Sequence, residues 1–340
     1  MAASWDYPRN ICSVRVLTEL GADHGMSVTQ CLAGTRIDAA RLQSHDAEVS
    51  AHDELQVIRN LLTTLGNDLP LSLDAGMRYH PTTFGVWGFM ILSSASVRTA
   101  LELGLRYIQL TSCYSRIKLI AAADEVQIIA SDDELPPDVT QFLVERDGAM
   151  LMTLAKDLLP GNLVLTRVET KYSRPRYVKR ATELFGREVS YGQDMNRTGI
   201  SLAVLDQPLS QRDAPMCGYF EAECKRLLER HRHVGNIVAK VRERLHGQPG
   251  RVPTMHSVAA EFKETTRTLR RRLDAAGATF ETLADEVRQT RAEQMLLDRT
   301  LKITEIAERL GYSEPSSFIR AFKRWRAMSP QRYRQARKDA

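Results

Sequence analysis

The sequence predicts a mixed α/β N-terminal domain followed by an all-α C-terminal domain. Apolar runs of strand and helix length alternate over about the first 215 of the 340 residues. A Gly- and Pro-rich break, HGQPGRVP at 246–253, follows, and every segment after it has helical apolar spacing. We therefore place the domains at 1–215 and 253–340, with 216–252 as a helical linker and the first helix of the second domain.

Helices and strands are interleaved in the N-terminal domain. Residues 116–131 predict two apolar strands around Asp124-Glu125, which is typical of a hairpin. Residues 163–172 predict another strand, followed by a helix that ends at Gly186, because glycine favours a left-handed cap. The other predictions are helices at 11–20, 51–65, 95–110 and 137–159, and β-structure at 187–192 and 199–209.

The C-terminal domain contains the same pattern twice: a short apolar helix, a tight turn and a basic helix. In the first copy Thr254 is a suitable N-cap, KETT at 263–266 makes the turn, and Gly277 ends the basic helix. In the second copy the turn is Gly311-Tyr312, and Pro315 lies in the first turn of the basic helix, where its missing N–H costs little. These are two predicted helix-turn-helix motifs.

Two longer helices flank and join the motifs. Residues 216–246 predict one helix or two, with an apolar stripe. Residues 278–300 predict an amphipathic linker helix of about 18 residues, about 27 Å long. A rod of that length could hold two DNA-reading helices about 34 Å apart, which is one turn of DNA.

Helical phase separates an apolar side from a basic side in both basic helices. At about 100° per residue, Leu269 and Leu273 share one side of the first helix, and Phe318, Phe322 and Trp325 share one side of the second. The opposite sides carry Arg267, Arg270 and Arg271 in the first helix, and Ser316, Arg320, Lys323 and Arg324 in the second, with Ser317 flanking them.

Positive charge is concentrated in the same region. Residues 251–340 carry 19 Lys and Arg against 12 Asp and Glu, a net charge of +7, whereas the rest of the chain has a net charge of −2. The major groove of DNA admits a helix, and arginine and serine can hydrogen-bond base edges there. Lys323 and Arg324 are better suited to phosphates, which position a helix without reading sequence. The pattern therefore favours double-stranded DNA as the partner.

Residues from about 234 to 335 resemble the DNA-binding domain of the AraC/XylS family of bacterial transcription regulators. The matching stretches are TLRRRLDAAGATF, ITEIAERLGYSEPSSFIRAFKRWRAMSPQRYR and the connector between them. The chain departs from the family at Ala327, where glycine is usual, and at Lys302. The resemblance implies base-reading roles for Arg267, Arg270, Arg271, Ser316, Ser317 and Arg320, and phosphate contacts by Thr268, Lys323 and Arg324.

The N-terminal domain, over roughly residues 15–210, resembles the long arabinose-binding-like sensor domain of one subgroup of that family. The resemblance is carried by GMRYHPTTFGVWGFMILSSASVRTALELGLRYIQL and ELFGREVSYGQDMNRTGISLAVLDQPL. It implies a small-molecule effector, which need not be a sugar. A second copy of the chain and RNA polymerase stay open as further partners.

One aromatic stretch is a candidate effector pocket. Tyr79, Phe84, Trp87, Phe89 and Met90 could line it, although such a set is also typical of an ordinary core. The neighbouring Arg78 and His80 could bind a carboxylate.

Other functional classes have weaker support. GxSxG, HExxH, P-loop and GxGxxG motifs are absent from the sequence, so no enzyme is predicted. Cys217 and Cys224 lie near His231 and His233, but this spacing matches no common tetrahedral site, so neither a metal nor a cofactor is expected.

Two alternatives stay open for the basic helices. A basic amphipathic helix with Trp and Phe can bind anionic lipid at a membrane surface, and a DNA-compacting protein would bind without base preference. Five scattered cysteines and the lack of a signal peptide or a long apolar segment favour the cytoplasm.

Overall fold

A computed structural model describes residues 5–336, apart from residues 45, 46, 160, 162, 164, 248–251, 277, 299 and 327. The chain divides into two units, residues 3–231 and residues 232–340. This division falls within the segment 216–252 that the sequence marks as a linker. Each unit has its own hydrophobic clusters.

In its described part, the N-terminal unit mixes helices with short strands, and two 3-10 turns occur at Pro81–Phe84 and Ile108–Leu110. The strands are β1 (Arg9–Asn10), β2 (Glu48–Val49), β3 (Arg116–Ala121), β4 (Glu125–Ser131), β5 (Leu165–Glu169) and β6 (Asn196–Ser201). The helices are α1 (Cys12–Asp23), α2 (Val28–Cys31), α3 (Ala39–Gln43), α4 (Ala51–Leu65), α5 (Leu71–Gly76), α6 (Val86–Leu92), α7 (Val97–Arg106), α8 (Thr140–Leu158), α9 (Val178–Phe185), α10 (Leu202–Leu205) and the first part of α11 (Ala214–Gly247).

The strands form a two-stranded sheet, β1-β2, and a four-stranded antiparallel sheet in the order β3-β4-β6-β5. The predicted hairpin is confirmed: β3 pairs with β4 from Arg116 opposite Ser131 to Ala121 opposite Val126. Strand β6 lies between β4 and β5 although it comes last in the chain. Gly186 ends α9, as predicted, and its φ of 67° lies in the left-handed region.

The β-structure predicted at the end of this unit is partly wrong. Only residues up to Ser201 join the sheet, and the apolar run after it forms α10, because Ser201 Oγ accepts a hydrogen bond from the Ala203 N–H at 3.3 Å and caps a helix. At 187–192 there is a single bridge, between Ser190 and Glu169. Short apolar runs do not distinguish strand from helix by periodicity alone.

Helix α8 is central to the N-terminal unit and packs closely against α5. A Cβ at Gly76 would overlap Ala149 and the backbone carbonyl of Arg146, so only glycine permits this approach of the two helices. The other side of α8 contributes Met150 and Leu154 to the cluster shared with the four-stranded sheet.

The described part of the C-terminal unit is helical, and α11 is a single helix rather than two. Thr254 is the N-cap of α12 and the linker helix has 18 residues, both as predicted. Gly277 and Ala327 lie outside the described residues. After α11 come α12 (Met255–Glu261), α13 (Thr266–Ala275), α14 (Phe280–Leu297), α15 (Ile303–Arg309), α16 (Pro315–Arg326) and α17 (Pro330–Ala336).

Among the described residues, no helix has both the length and the apolar character needed to cross a membrane.

Candidate nucleic-acid interface

Local hydrogen bonds fix where the two helices of the first helix-turn-helix begin. Thr254 Oγ1 accepts from the Ser257 N–H at 3.2 Å and starts α12, and Thr265 Oγ1 accepts from the Thr268 N–H at 3.1 Å and starts α13. Between the helices, Lys263 has a φ of 56°. This left-handed conformation is uncommon for a residue with a side chain, so the turn is set by its surroundings.

The apolar side of α13 packs inside the C-terminal unit as helical phase predicts. Leu269 and Leu273 are buried and belong to one hydrophobic cluster with Val241 and Leu245 of α11 and Leu283 of α14. A buried leucine contributes about 2–3 kcal/mol relative to an exposed one. The opposite side of α13 is exposed and carries Arg267, Arg270 and Arg271.

The second helix-turn-helix has the same chain path. The Lys302 N–H donates to Glu305 Oε2 at 2.7 Å at the start of α15. Gly311 turns the chain with a φ of 86°. Its N–H donates to the Glu308 carbonyl at 2.9 Å, and the Tyr312 N–H reaches back to the carbonyl of Ala307 at 3.0 Å.

Aromatic side chains hold α16 in place. Phe318 and Phe322 are fully buried, with ring centroids 5.8 Å apart. Phe322 also meets the rings of Trp325 at 6.2 Å and Tyr333 of α17 at 5.4 Å, and Tyr312 lies 5.8 Å from Phe318. Edge-to-face aromatic pairs add about 0.5–1.5 kcal/mol beyond the area they bury, so this cluster makes α16 a rigid support.

A set of basic and hydroxyl side chains is left on the outer sides of α13 and α16. In the described part of the chain, no ion pair engages Arg267, Arg270, Arg271, Arg320 or Lys323. The Arg320 guanidinium donates one long hydrogen bond, 3.3 Å, to Ser317 Oγ. Ser316 is exposed beside them, and Thr268 is half-buried, with its hydroxyl 2.9 Å from that of Thr265.

Other arginines of the C-terminal unit are paired within the fold. Arg272 forms an ion pair with Glu264, and Arg326 binds Glu293 through two bonds of 2.7 Å. The first pair ties α13 to the turn before it and the second ties α16 to α14. The arginines that have no ion pair among the described residues have charge available for a polyanion.

Arg324 differs from the other predicted phosphate ligands. Its guanidinium lies 2.8 Å from Asp285 Oδ2 on α14, although its side chain is two-thirds exposed. Asp285 also accepts hydrogen bonds from Arg288 at 3.0 Å and from the Trp325 indole at 3.4 Å. Arg324 is thus paired within the fold while most of its side chain stays exposed to solvent.

Two polar candidates for the effector pocket are already paired with carboxylates. Arg78 forms an ion pair with Asp23, and His80 Nδ1 lies 2.7 Å from Asp157 Oδ2. Both lie at the surface rather than in a cavity.

The aromatic candidates divide between core and surface. Tyr79 and Phe84 stack at 5.7 Å, and Phe84 meets Trp87 edge-on at 5.4 Å. Met90 is fully buried, while Phe89 is exposed. The structure therefore brings four of the five together in one packed cluster, with Phe89 outside it.

An apolar cavity of about 170 Å³ lies elsewhere in the N-terminal unit, between α7, α8 and α9 and the four-stranded sheet. Of the seven predicted pocket residues, Trp87 lines it. Its remaining lining comes from segments far apart in the chain, including Gly148 and Leu154 of α8 and Ile128 and Ile200 of the sheet. These segments come together only in the folded unit, so no local sequence pattern indicates the cavity.

A buried charge network also escaped sequence analysis. The Arg146 guanidinium lies 2.8 Å from both Glu54 and Asp147, and Arg9 reaches Glu54 at 3.4 Å. All four groups are buried, and the two positive and two negative charges balance, which such burial requires. Burial raises the pKa of the adjacent Tyr79 hydroxyl, so it stays protonated and shares a 2.7 Å hydrogen bond with Ser13.

In the described part of the chain, no cluster of three or more His, Cys, Asp or Glu is arranged to hold a metal ion. Cys217 and Cys224 are buried, and the side chains of His231 and His233 lie outside the described residues.

Comparison with known proteins gives the family. The description "Arabinose-binding domain of AraC transcription regulator, N-term" matches residues 25–209, and "Helix-turn-helix domain" matches residues 258–336. An uncharacterized HTH-type transcriptional regulator of Mycobacterium tuberculosis is 35% identical over 332 residues, 95% of each chain. The chain belongs to the AraC family of transcription regulators.

Further similarities of this AraC-type regulator also cover nearly its whole length. The ornithine utilization regulator of Pseudomonas aeruginosa is 26% identical over 326 residues, 96% of each chain. The crystal structure of the regulator CdpR from the same organism is 25% identical, covers 94% of this chain and 97% of that one, and superposes with a TM-score of 0.45.

The predicted family, fold class and general function are confirmed. This AraC-type regulator has a mixed α/β N-terminal unit and a helical C-terminal unit with two helix-turn-helix motifs. It is a DNA-binding transcription regulator with a sensor-type N-terminal domain, in a family of regulators rather than of enzymes.

Proposed function

We propose that this regulator binds an operator in double-stranded DNA through both basic helices, α13 and α16. The two helices would enter successive segments of the major groove. The observation that carries the proposal is the division of the arginines. The arginines proposed to read bases have no carboxylate partner among the described residues, whereas Arg272, Arg324 and Arg326 are paired with carboxylates of the fold. A free guanidinium on a rigid helix is suited to bidentate bonding of guanine.

The roles differ along each helix. Arg267, Arg270 and Arg271 read bases from α13, and Ser316, Ser317 and Arg320 read bases from α16. Thr268 and Lys323 contact phosphates, which fix the register of the helices on the duplex. Because Arg324 is held by Asp285, its phosphate contact is the weakest of this set.

The N-terminal unit is proposed to bind a small-molecule effector in the cytoplasm. Its similarity to the sensor domain of AraC regulators supports this role. Contacts with RNA polymerase and pairing with a second copy of the chain are consistent with a regulator, and they are further hypotheses.

Binding to the DNA upstream of the protein's own gene, compared with a random duplex of equal length at 50 mM and 200 mM salt, tests the DNA-binding role. We expect a preference of at least about a thousandfold for the operator, and a steep loss of affinity for both duplexes with salt. Equal affinity for the two duplexes would instead favour the DNA-compacting alternative. Binding to anionic vesicles but to neither duplex would favour the membrane-surface alternative.

A further inference from the structure

We propose that the apolar cavity beside α8 is the effector site and that it selects a compact, uncharged and mainly apolar molecule with about one aromatic ring. This assignment rests on the proposed effector-binding role of the N-terminal unit. It differs from the candidate pocket around Tyr79, whose aromatic side chains fill one another's space.

The size of the cavity sets the size of the ligand. Its volume is about 170 Å³, and an engineered apolar cavity of about 150 Å³ in another protein stays dry and binds benzene. The wall is formed largely by aliphatic and aromatic side chains, with Trp87, Leu154 and Phe185 on the helices and Ile128 and Ile200 on the sheet. A small ring can therefore replace empty space with van der Waals contacts.

The charged groups of the wall exclude a charged ligand, because each already has a partner. Arg197 binds Glu169 at 2.5 Å, and Asp147 belongs to the buried charge network. Glu145 accepts hydrogen bonds from three neutral donors, the Tyr177 hydroxyl at 2.7 Å, Ser72 and Gln141. An ion entering the cavity would lose its hydration, which costs several kcal/mol or more. An anion would meet no unpaired cation on the described wall, and a cation would meet only Glu145, whose oxygens already accept these three hydrogen bonds.

Two hydroxyls on the wall allow a limited polar contact. Thr198 and Tyr191 line the cavity, and neither side chain has a hydrogen-bond partner in the part of the chain that the structure describes. They can pair with one hydroxyl or N–H group of a ligand. The ligand class is therefore a small aromatic or alicyclic molecule with at most one or two neutral polar groups.

Three probes of equal ring size test the charge selection. Isothermal titration of the full chain with toluene, benzoate and benzylamine at pH 7 compares a neutral ring with an anion and a cation. We expect toluene to bind at least tenfold more tightly than either ion. Tighter or equal binding of benzoate or benzylamine, or no binding of toluene, overturns the proposal.

A filled cavity tests the location. A Cβ added at Gly148 meets only Phe185 Cζ, at 3.8 Å, so Gly148→Leu extends into free space next to the cavity lining. We expect at least tenfold weaker toluene binding, with a melting temperature no lower than that of the wild type, since a helical glycine is removed. Gly218→Leu is the matched control, because Gly218 is a helical glycine with open space around it.

Ala155→Leu, at a second lining residue, provides an independent filling variant. Toluene affinity unchanged in both filling variants overturns the assignment.

Operator binding by the same protein without ligand distinguishes failure of the cavity assignment from failure of the proposed regulatory function. Absence of toluene binding with intact operator preference overturns the cavity assignment alone. Loss of toluene binding in a Gly148→Leu protein that keeps the wild-type melting temperature of the N-terminal unit supports it, because that unit is then folded.

Discussion

The two helix-turn-helix units share a chain path but not the residues that produce it. In each unit, the residue two positions after the short helix is left-handed, and it is Lys263 in the first unit and Gly311 in the second. In both, that residue donates its N–H three residues back, and the next residue donates five residues back, with distances of 2.9–3.0 Å. The backbone geometry is therefore the common requirement, and glycine is one way to meet it.

The cores behind the two basic helices differ more than their paths. Leu269 and Leu273 pack among aliphatic residues of α11, α12 and α14. At the matching positions of α16, Phe318 and Phe322 pack in an aromatic cluster that includes Trp325. The second unit thus gains ring contacts that the first lacks.

The outer sides differ as well. When Leu269 is matched to Phe318, Arg267 corresponds to Ser316 and Arg271 to Arg320. The first helix carries three exposed arginines that have no ion pair among the described residues, whereas the second combines one such arginine, Arg320, with serines. The two halves of the operator are therefore expected to differ in sequence, with the greater guanine content facing α13.

Removing one core ring should have the largest effect. We expect Phe322→Ala to lower the free energy of unfolding of the C-terminal unit by about 3–5 kcal/mol, and Leu273→Ala by about 2–4 kcal/mol, because Phe322 contacts three other rings. Urea unfolding followed by Trp325 fluorescence and circular dichroism measures both. A larger loss from Leu273→Ala would reverse the ranking of the two cores.

Removing one guanidinium from the outer side of each basic helix should have the next largest effect, on operator binding. Arg320→Ala and Arg271→Ala are each expected to weaken operator binding by about 1–3 kcal/mol and to relax base choice at different positions. Lys323→Ala is the control, since loss of a phosphate contact weakens all sequences alike. Quantitative binding to single-base operator variants is the measurement. An equal loss of affinity for operator and random DNA in the Arg320→Ala protein would contradict a base-reading role for Arg320.

Exchanging the left-handed residues should have smaller and opposite effects. Gly311→Ala should lower stability by about 1 kcal/mol, because a Cβ is strained at that φ. Lys263→Gly should raise stability by about 0.5 kcal/mol, since relief of strain is partly offset by the greater freedom of glycine in the unfolded chain. Thermal unfolding of both variants checks the signs. A destabilised Lys263→Gly protein would mean that the lysine side chain supports the turn.

The smallest effect is expected from removing the carboxylate that pairs with Arg324 in the second unit. Asp285→Asn removes the partner of Arg324, and such an exposed ion pair contributes about 0–1 kcal/mol to stability. The freed charge should strengthen binding to any duplex by less than about threefold and steepen its salt dependence slightly. Unchanged affinity at every salt concentration would place Arg324 in the scaffold alone.

Local periodicity predicts the C-terminal unit well and tertiary pairing poorly. Leu273 and Phe322 face inward and Arg271 faces outward as expected, because the side of a helix on which a residue lies follows from its position in the sequence. The Arg324–Asp285 pair joins residues 39 positions apart. No local pattern contains that information.

The N-terminal unit shows the same limit more strongly. Its hairpin and long helices follow from alternation and length. The cavity forms where α8 faces a sheet whose strands β4 and β6 are distant in the chain, whereas the aromatic run near Tyr79, predicted as the pocket, forms a packed cluster. A pocket depends on what is missing between elements, which a single segment cannot indicate.

The buried charge network sets a limit on how far the chain can be shortened. The family match begins at residue 25, yet Arg9 and Ser13 upstream of it are both buried against Glu54. A fragment that starts at residue 25 would keep Glu54 and Asp147 in the interior with Arg146 as their single cation. Uncompensated buried charge of this kind costs about 3–5 kcal/mol. The smallest autonomous sensor fragment must therefore begin before the region by which its family is known.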